Sequence, residues 1–144
     1  MSTSTRSDTT TTTNTGTLIA QLAEQGIKHL RSVQYTGDYE PTDNATLIAK
    51  LAGHSEPRLR EALIPLFLRH PEYAQFAPPL VAMLDAEAAL RLRHLYTASV
   101  YLQRFWHTTL EIYLGKSLPL PDYYGQSYFH LPPPADRFGE ALDL

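Results

Sequence analysis

One uninterrupted helical pattern, Ala86 to Leu114, constrains this chain more than any other feature. Asp85 is suited to cap it, because a carboxylate accepts from the free N–H groups of a first turn, and Gly115 is suited to stop it. Between them stands no Pro or Gly. Ala88, Leu92, Leu95, Ser99, Leu102, Trp106, Thr109, Leu110 and Tyr113 recur at steps of mostly three or four, which places them on one side of a helix and predicts the core face. At about 1.5 Å per residue the segment is roughly 43 Å long, enough to give several shorter helices one docking surface.

The opposite side predicts a polar stripe of Arg93, Thr97, Arg104, His107, Thr108 and Glu111, interrupted by Val100. Tyr101, Phe105 and Ile112 flank the core face. The apolar arc is therefore wider than a two-helix seam, and a bundle is expected rather than a free coiled coil.

With 144 residues, one domain is the natural count. The chain has no cysteine, so disulfides, thiolate metal sites and a Cys nucleophile are excluded. Met1 to Asn14 lacks the basic-then-apolar design of a secretory signal, and no stretch reaches the length of apolar sequence that a membrane helix needs. The expected compartment is the cytoplasm. A net charge of -3 supplies no global attraction for nucleic acid.

In chain order, residues 1–14 are almost all Ser and Thr and carry too little apolar surface to offset ordering, so they are expected to be a disordered tail. Thr15 or Thr17 then caps a helix bearing Leu18, Ile19, Leu22, Ile27, Leu30 and Val33, with a weak point at Gly26. Gln34 to Pro41 is a connection. Thr42 or Asp43 caps a short helix with Leu47, Ile48 and Leu51 on one face, ended by Gly53. Ser55 is expected to cap the next helix, with Pro57 in its first turn, Leu59, Leu63, Leu66 and Phe67 as its face, and a bend imposed by Pro65. That helix stops before Pro71, and Pro78 and Pro79 open a short helix, Leu80 to Leu84. After Gly115, Pro119, Pro121 and Pro132 to Pro134 alternate with Tyr123, Tyr124, Tyr128, Phe129 and Phe138. This proline density predicts an extended segment, lying either over its own bundle or on a second chain.

Several residue sets have types and spacings that bear on chemistry. Ile48 to Leu63 resembles a helix-turn-helix signature: Ala49, Gly53 and Ser55 stand at the small, turn and cap positions, which would place Arg58 and Arg60 at DNA. His54 at the turn and the neighbouring Glu56 and Glu61 depart from that pattern. The same segment looks like one helix of an α-solenoid, but no second copy follows at a fixed period. His107 and Glu111 lie one turn apart on the stripe, yet two ligands do not make a metal site, and no nucleophile pairs with them or with Arg104 for acid–base work. Gly115 to Ser117 imitates the end of a phosphate-binding loop, but Leu110 stands where that loop requires Gly. Arginines and aromatics on the long helix suggest RNA, but Glu56 to Gly115 balances six Arg against six acidic residues. No cofactor is expected.

Taken together, Arg58 to Leu63, His70 to Glu72, Tyr101 to Trp106, Tyr113 to Gly115 and Leu120 to Asp122 resemble a set of small uncharacterised bacterial all-helical proteins that accompany nucleotidyltransferase-domain proteins. The resemblance spans about Ser55 to Pro134 and implies an antitoxin-like partner subunit, with no catalytic residues to carry over. The expectation is an all-α fold, a four- to five-helix bundle around one long helix (residues 15–116), with a disordered head (1–14) and an extended Pro/aromatic segment (117–144). Its function is expected to be non-catalytic protein interaction, with homo-oligomer formation left open. The expected surface is Arg93, Arg104, His107, Glu111, Tyr123, Tyr124, Tyr128 and Phe129, since Arg and aromatics anchor interfaces. The alternative is a DNA-binding protein using Arg58 and Arg60.

Overall fold

The computed structural model describes residues 15–30, 42–115 and 118–134, and all regular structure in them is helical. Helix α1 spans 15–24. It is followed by α2 (Asn44–Ala52), α3 (Pro57–Glu61), α4 (Leu63–Arg69), a 3-10 turn (Pro71–Phe76), α5 (Ala77–Met83), α6 (Ala86–Phe105) and α7 (His107–Leu114). The expected Ser/Thr-rich head (1–14), the connection Gln34 to Pro41, and residues 117 and 135–144 of the expected extended segment lie outside the described residues.

Capping chemistry explains most boundaries. Asp43 accepts from Thr46 N at 2.7 Å and Asp85 from Ala88 N at 2.8 Å, each satisfying a donor that the first helical turn leaves open. The bond from Thr46 holds the Asp43 carboxyl below its ordinary range. Gly53 and Gly115 close α2 and α6–α7 as expected, Gly115 with φ 79. Pro65 cannot donate to Glu61 O and crowds that carbonyl, so the expected bend is a full interruption, with α3 ending at Glu61 and α4 starting at Leu63. Two expectations are corrected. Ser55 is not the cap of α3; Glu56 occupies that position without a side-chain cap bond. The first helix stops at residue 24, because Gly26 turns the chain at φ 94. A Cβ there would also come within 2.8 Å of the Arg69 side chain.

The core is one cluster: Leu22, Leu47, Ile48, Leu51, Leu59, Leu63, Leu66, Phe67, Leu92, Tyr96, Val100 and Leu120 are all fully buried. Helices α2, α4 and α5 pack on α6, which is the expected spine. Phe67 meets Tyr96 edge-on with ring centroids 5.0 Å apart. Gln25 ties the end of α1 to two neighbours, donating to Asn44 Oδ1 at 3.0 Å and accepting from the Tyr73 hydroxyl at 2.7 Å.

The spine differs from the sequence expectation in two ways. It is interrupted at Trp106, which leaves helical geometry (φ -104, ψ 24) before α7 resumes. Its buried side is Ala88, Ala89, Leu92, Tyr96, Thr97, Ser99, Val100 and Gln103, a face rotated by roughly 75° from the predicted one. Val100 and Thr97, expected on the polar stripe, are therefore buried, while Leu102 and Trp106, expected in the core, are exposed. The physical cause is the segment after Gly115. Leu120 is inserted into the core, and Tyr96 and Gln103 turn inward to hold its backbone.

That segment lies over its own bundle. Gln103 donates to Leu118 O at 3.0 Å and accepts from Leu120 N at 2.7 Å, Tyr96 donates to Pro121 O at 2.5 Å, and Tyr101 donates to Pro132 O at 2.6 Å. Asp122 accepts from Gly125 N and Gln126 N, and Leu131 N donates back to Gly125 O at 2.8 Å, closing a compact turn that sends the chain back toward α6.

Candidate functional site

The residues expected to form one surface are divided by the structure into three environments. Arg93 lies under the turn of residues 122–131, its guanidinium carbon 4.4 Å from the Tyr128 ring centre and 5.9 Å from that of Tyr124. Tyr123 stacks on Tyr96 at 5.4 Å and Tyr124 meets Tyr96 edge-on at 6.2 Å, while Phe129 stacks on His94 at 4.7 Å. These aromatics fasten the segment to α6. Burial raises the pKa of the Tyr124 hydroxyl, although the nearby Arg93 cation partly opposes it. Arg93 Nε, Thr97 Oγ1 and the Tyr124 hydroxyl are buried here without a hydrogen-bond partner.

Arg104 is engaged otherwise. It donates to Leu120 O and to Gln103 Oε1, both at 2.8 Å, and so braces the same segment. His107 and Glu111 sit beyond it on α7, 3.4 Å apart and both open to solvent. Among the described residues no group of three or more His, Asp or Glu is placed to hold a metal ion.

The DNA alternative places Arg58 and Arg60 on α3, a helix of five residues. Arg58 pairs with Glu56 at 3.0 Å, and Arg60 donates to His54 O and Ser55 O at 2.9 Å. Between α3 and α6 runs an open groove of about 240 Å³ lined by Pro57, Arg60, Glu61, Arg91, His94 and Leu95. Its cations are committed too: Arg60 to the turn and Arg91 to Glu87 one turn before it.

The feature that sequence reasoning missed is the far end of the spine. No residue of α7 is buried. Ile112 is 75% exposed and Tyr113 80%, and with Leu102, Phe105, Trp106 and Leu118 they form the chief concentration of exposed apolar side chains among the described residues. By sequence spacing, Leu102, Phe105, Trp106, Thr109, Ile112 and Tyr113 would fall in an arc of roughly 120° on an unbroken helix. His107 and Glu111 lie roughly opposite.

No protein-family model, curated protein or solved structure matches this chain. Function therefore has to be argued from this geometry. No helix among the described residues is long and apolar enough to cross a membrane. The signal that could have revealed the face was present in the sequence: residues 102–113 are apolar over more of their circumference than the few short helices before them can cover.

Proposed function

We propose that this protein is a non-catalytic protein-interaction module whose contact face is the apolar side of α6–α7, Leu102 to Tyr113, flanked by Leu118. One observation carries this reading: Phe105, Ile112 and Tyr113 have the spacing of a buried helix side, yet all three stand exposed, Ile112 by 75% and Tyr113 by 80%. Contiguous apolar side chains left in water mark interaction sites, and Trp, Phe and Tyr are the residues that anchor them. The resemblance to small bacterial helical proteins that accompany nucleotidyltransferase-domain proteins supports the same class of role, that of a partner subunit. DNA binding gains no support from α3, where both candidate arginines already have partners.

The test is whether the face is free in the folded monomer. Ile112→Asp and Tyr113→Asp should leave the helical circular dichroism and the denaturation midpoint of dilute protein within about 0.5 kcal/mol of the parent, the range of ordinary surface substitutions. A loss of several kcal/mol would show that the face is core and would remove the interaction reading.

A further inference from the structure

We infer that the apolar end of α6 and α7 is covered by the chain's own residues 135–144, which a partner must displace in order to bind there. The inference rests on the interaction reading above and adds how access to that face is controlled.

The course of the chain before residue 135 is the first argument. Phe129 stacks on His94 at 4.7 Å, and Pro132 O accepts from the Tyr101 hydroxyl at 2.6 Å. His94 and Tyr101 are two turns apart on the same side of α6, and exposed Phe105 stands one turn beyond Tyr101 on that side. From His94 to Tyr101 the helix rises about 10 Å. The extended chain from Phe129 to Pro132 covers about the same distance. The segment therefore runs along α6 toward its C-terminal end and is fastened one turn short of the apolar face. Pro132, Pro133 and Pro134 follow one another, and the φ that each ring fixes favours an extended course onward from Tyr101.

Reach and composition agree with that heading. The helical path from Phe105 to Tyr113 is about 12 Å long, while residues 135–144 reach about 33 Å when extended. They bring Phe138, Ala141, Leu142 and Leu144 to a surface of Leu102, Phe105, Ile112 and Tyr113. The charged groups on the adjoining turns are Arg104, His107 and Glu111. Arg104 is engaged with Leu120 O and Gln103, and His107 with Glu111, so the match is one of apolar side chains. So short a segment would bind weakly as a free peptide. Tethered at Pro132, it acts at an effective concentration of the order of millimolar, which holds a weak contact closed and still yields it to a partner of larger area.

The chain contains no cysteine, so Asp143→Cys takes a nitroxide label at a single site. In dilute full chain, the label should erase the amide NMR signals of Phe105, Ile112 and Tyr113, which return when it is reduced, and should spare Ala88 at the other end of α6. Adding Phe138→Asp and Leu142→Asp to the labelled chain should restore the three signals. Signals as strong as that of Ala88 from the outset would overturn the cover. Loss that appears only between labelled and unlabelled chains in a mixture would overturn it as well, and would assign the face to a second copy. Ile112→Asp keeps the two readings apart. If it retains the parent's stability while the label erases nothing, the interaction reading stands without the cover; if it unfolds the dilute chain, the face is core and both readings fall.

Discussion

The side-chain amide of Gln103 accepts from the buried backbone N–H of Leu120 at 2.7 Å, joining the last turn of α6 to the proline-rich segment that follows it. Gln103 also donates to Leu118 O, so one side chain serves both a donor and an acceptor of a strand of chain that has no ladder of its own. Replacing Gln103 by Leu keeps the volume and leaves the Leu120 N–H in the interior unpaired. A loss of about 1–3 kcal/mol is expected in denaturant unfolding. Leu120→Ala should cost more, about 2–5 kcal/mol, as for a core leucine inside a helix. Near-neutral values for both would mean that the segment is not part of the folded unit.

Tyr96 should make the protein sensitive to alkali. Burial, together with Tyr123, Tyr124 and Asp122 nearby, raises its pKa well above the ordinary value, and Tyr73, Tyr101 and Tyr124 move the same way. A raised pKa in the folded state means that the native form holds its proton after the unfolded form has lost it. The stabilisation is therefore complete below pH about 10 and is lost as pH rises beyond it. Urea midpoints measured from neutral pH upward should fall above pH about 10, and less steeply in Tyr96→Phe. A flat profile in the parent would contradict the burial of this hydroxyl.

Gly125 should not tolerate a side chain. A Cβ at this position would stand 2.5 Å from Tyr101 Cε1 and 2.6 Å from Asp122 Oδ1, a ring atom and a turn-forming carboxylate that are both held in place. Gly125→Ala is expected to destabilise by about 1–3 kcal/mol, the range for overpacking. Combining it with Tyr101→Ala should be less costly than the sum of the two changes. Strict additivity in that cycle would show that the contact is not there.

Thr97→Val is the opposite case. The Thr97 hydroxyl is buried and unpaired, so the native state desolvates it without return. An isosteric methyl should be neutral or stabilising by about 1 kcal/mol, judged by thermal or chemical denaturation. A clear loss of stability would reveal a partner for this oxygen.

These residues also show what could be read from the chain alone. Local signals were legible: Asp43 and Asp85 cap helices, Gly53 and Gly115 end them, and Pro65 breaks one, because each acts within a single turn. The phase of the spine was not. Periodicity ranked Tyr96 and Gln103 below Leu102 and Trp106, yet the first pair is buried since its partners are backbone groups of Leu118, Leu120 and Pro121, far away in sequence. For the same reason Arg93 and Arg104, free by pattern, turned out to brace that segment. The apolar residues around Ile112 have the spacing of a core face, and a sequence does not state whose core they would join.

Leu120 is a fully buried core residue that is synthesised after every helix it touches. A nascent chain that has not yet delivered it leaves Tyr96 without its acceptor at Pro121 and Gln103 without its partners at Leu118 and Leu120. Closure of the bundle thus waits until Leu120 has been synthesised, and shortened products ending before this residue should be recognised and removed as unfolded protein rather than persist as small stable domains.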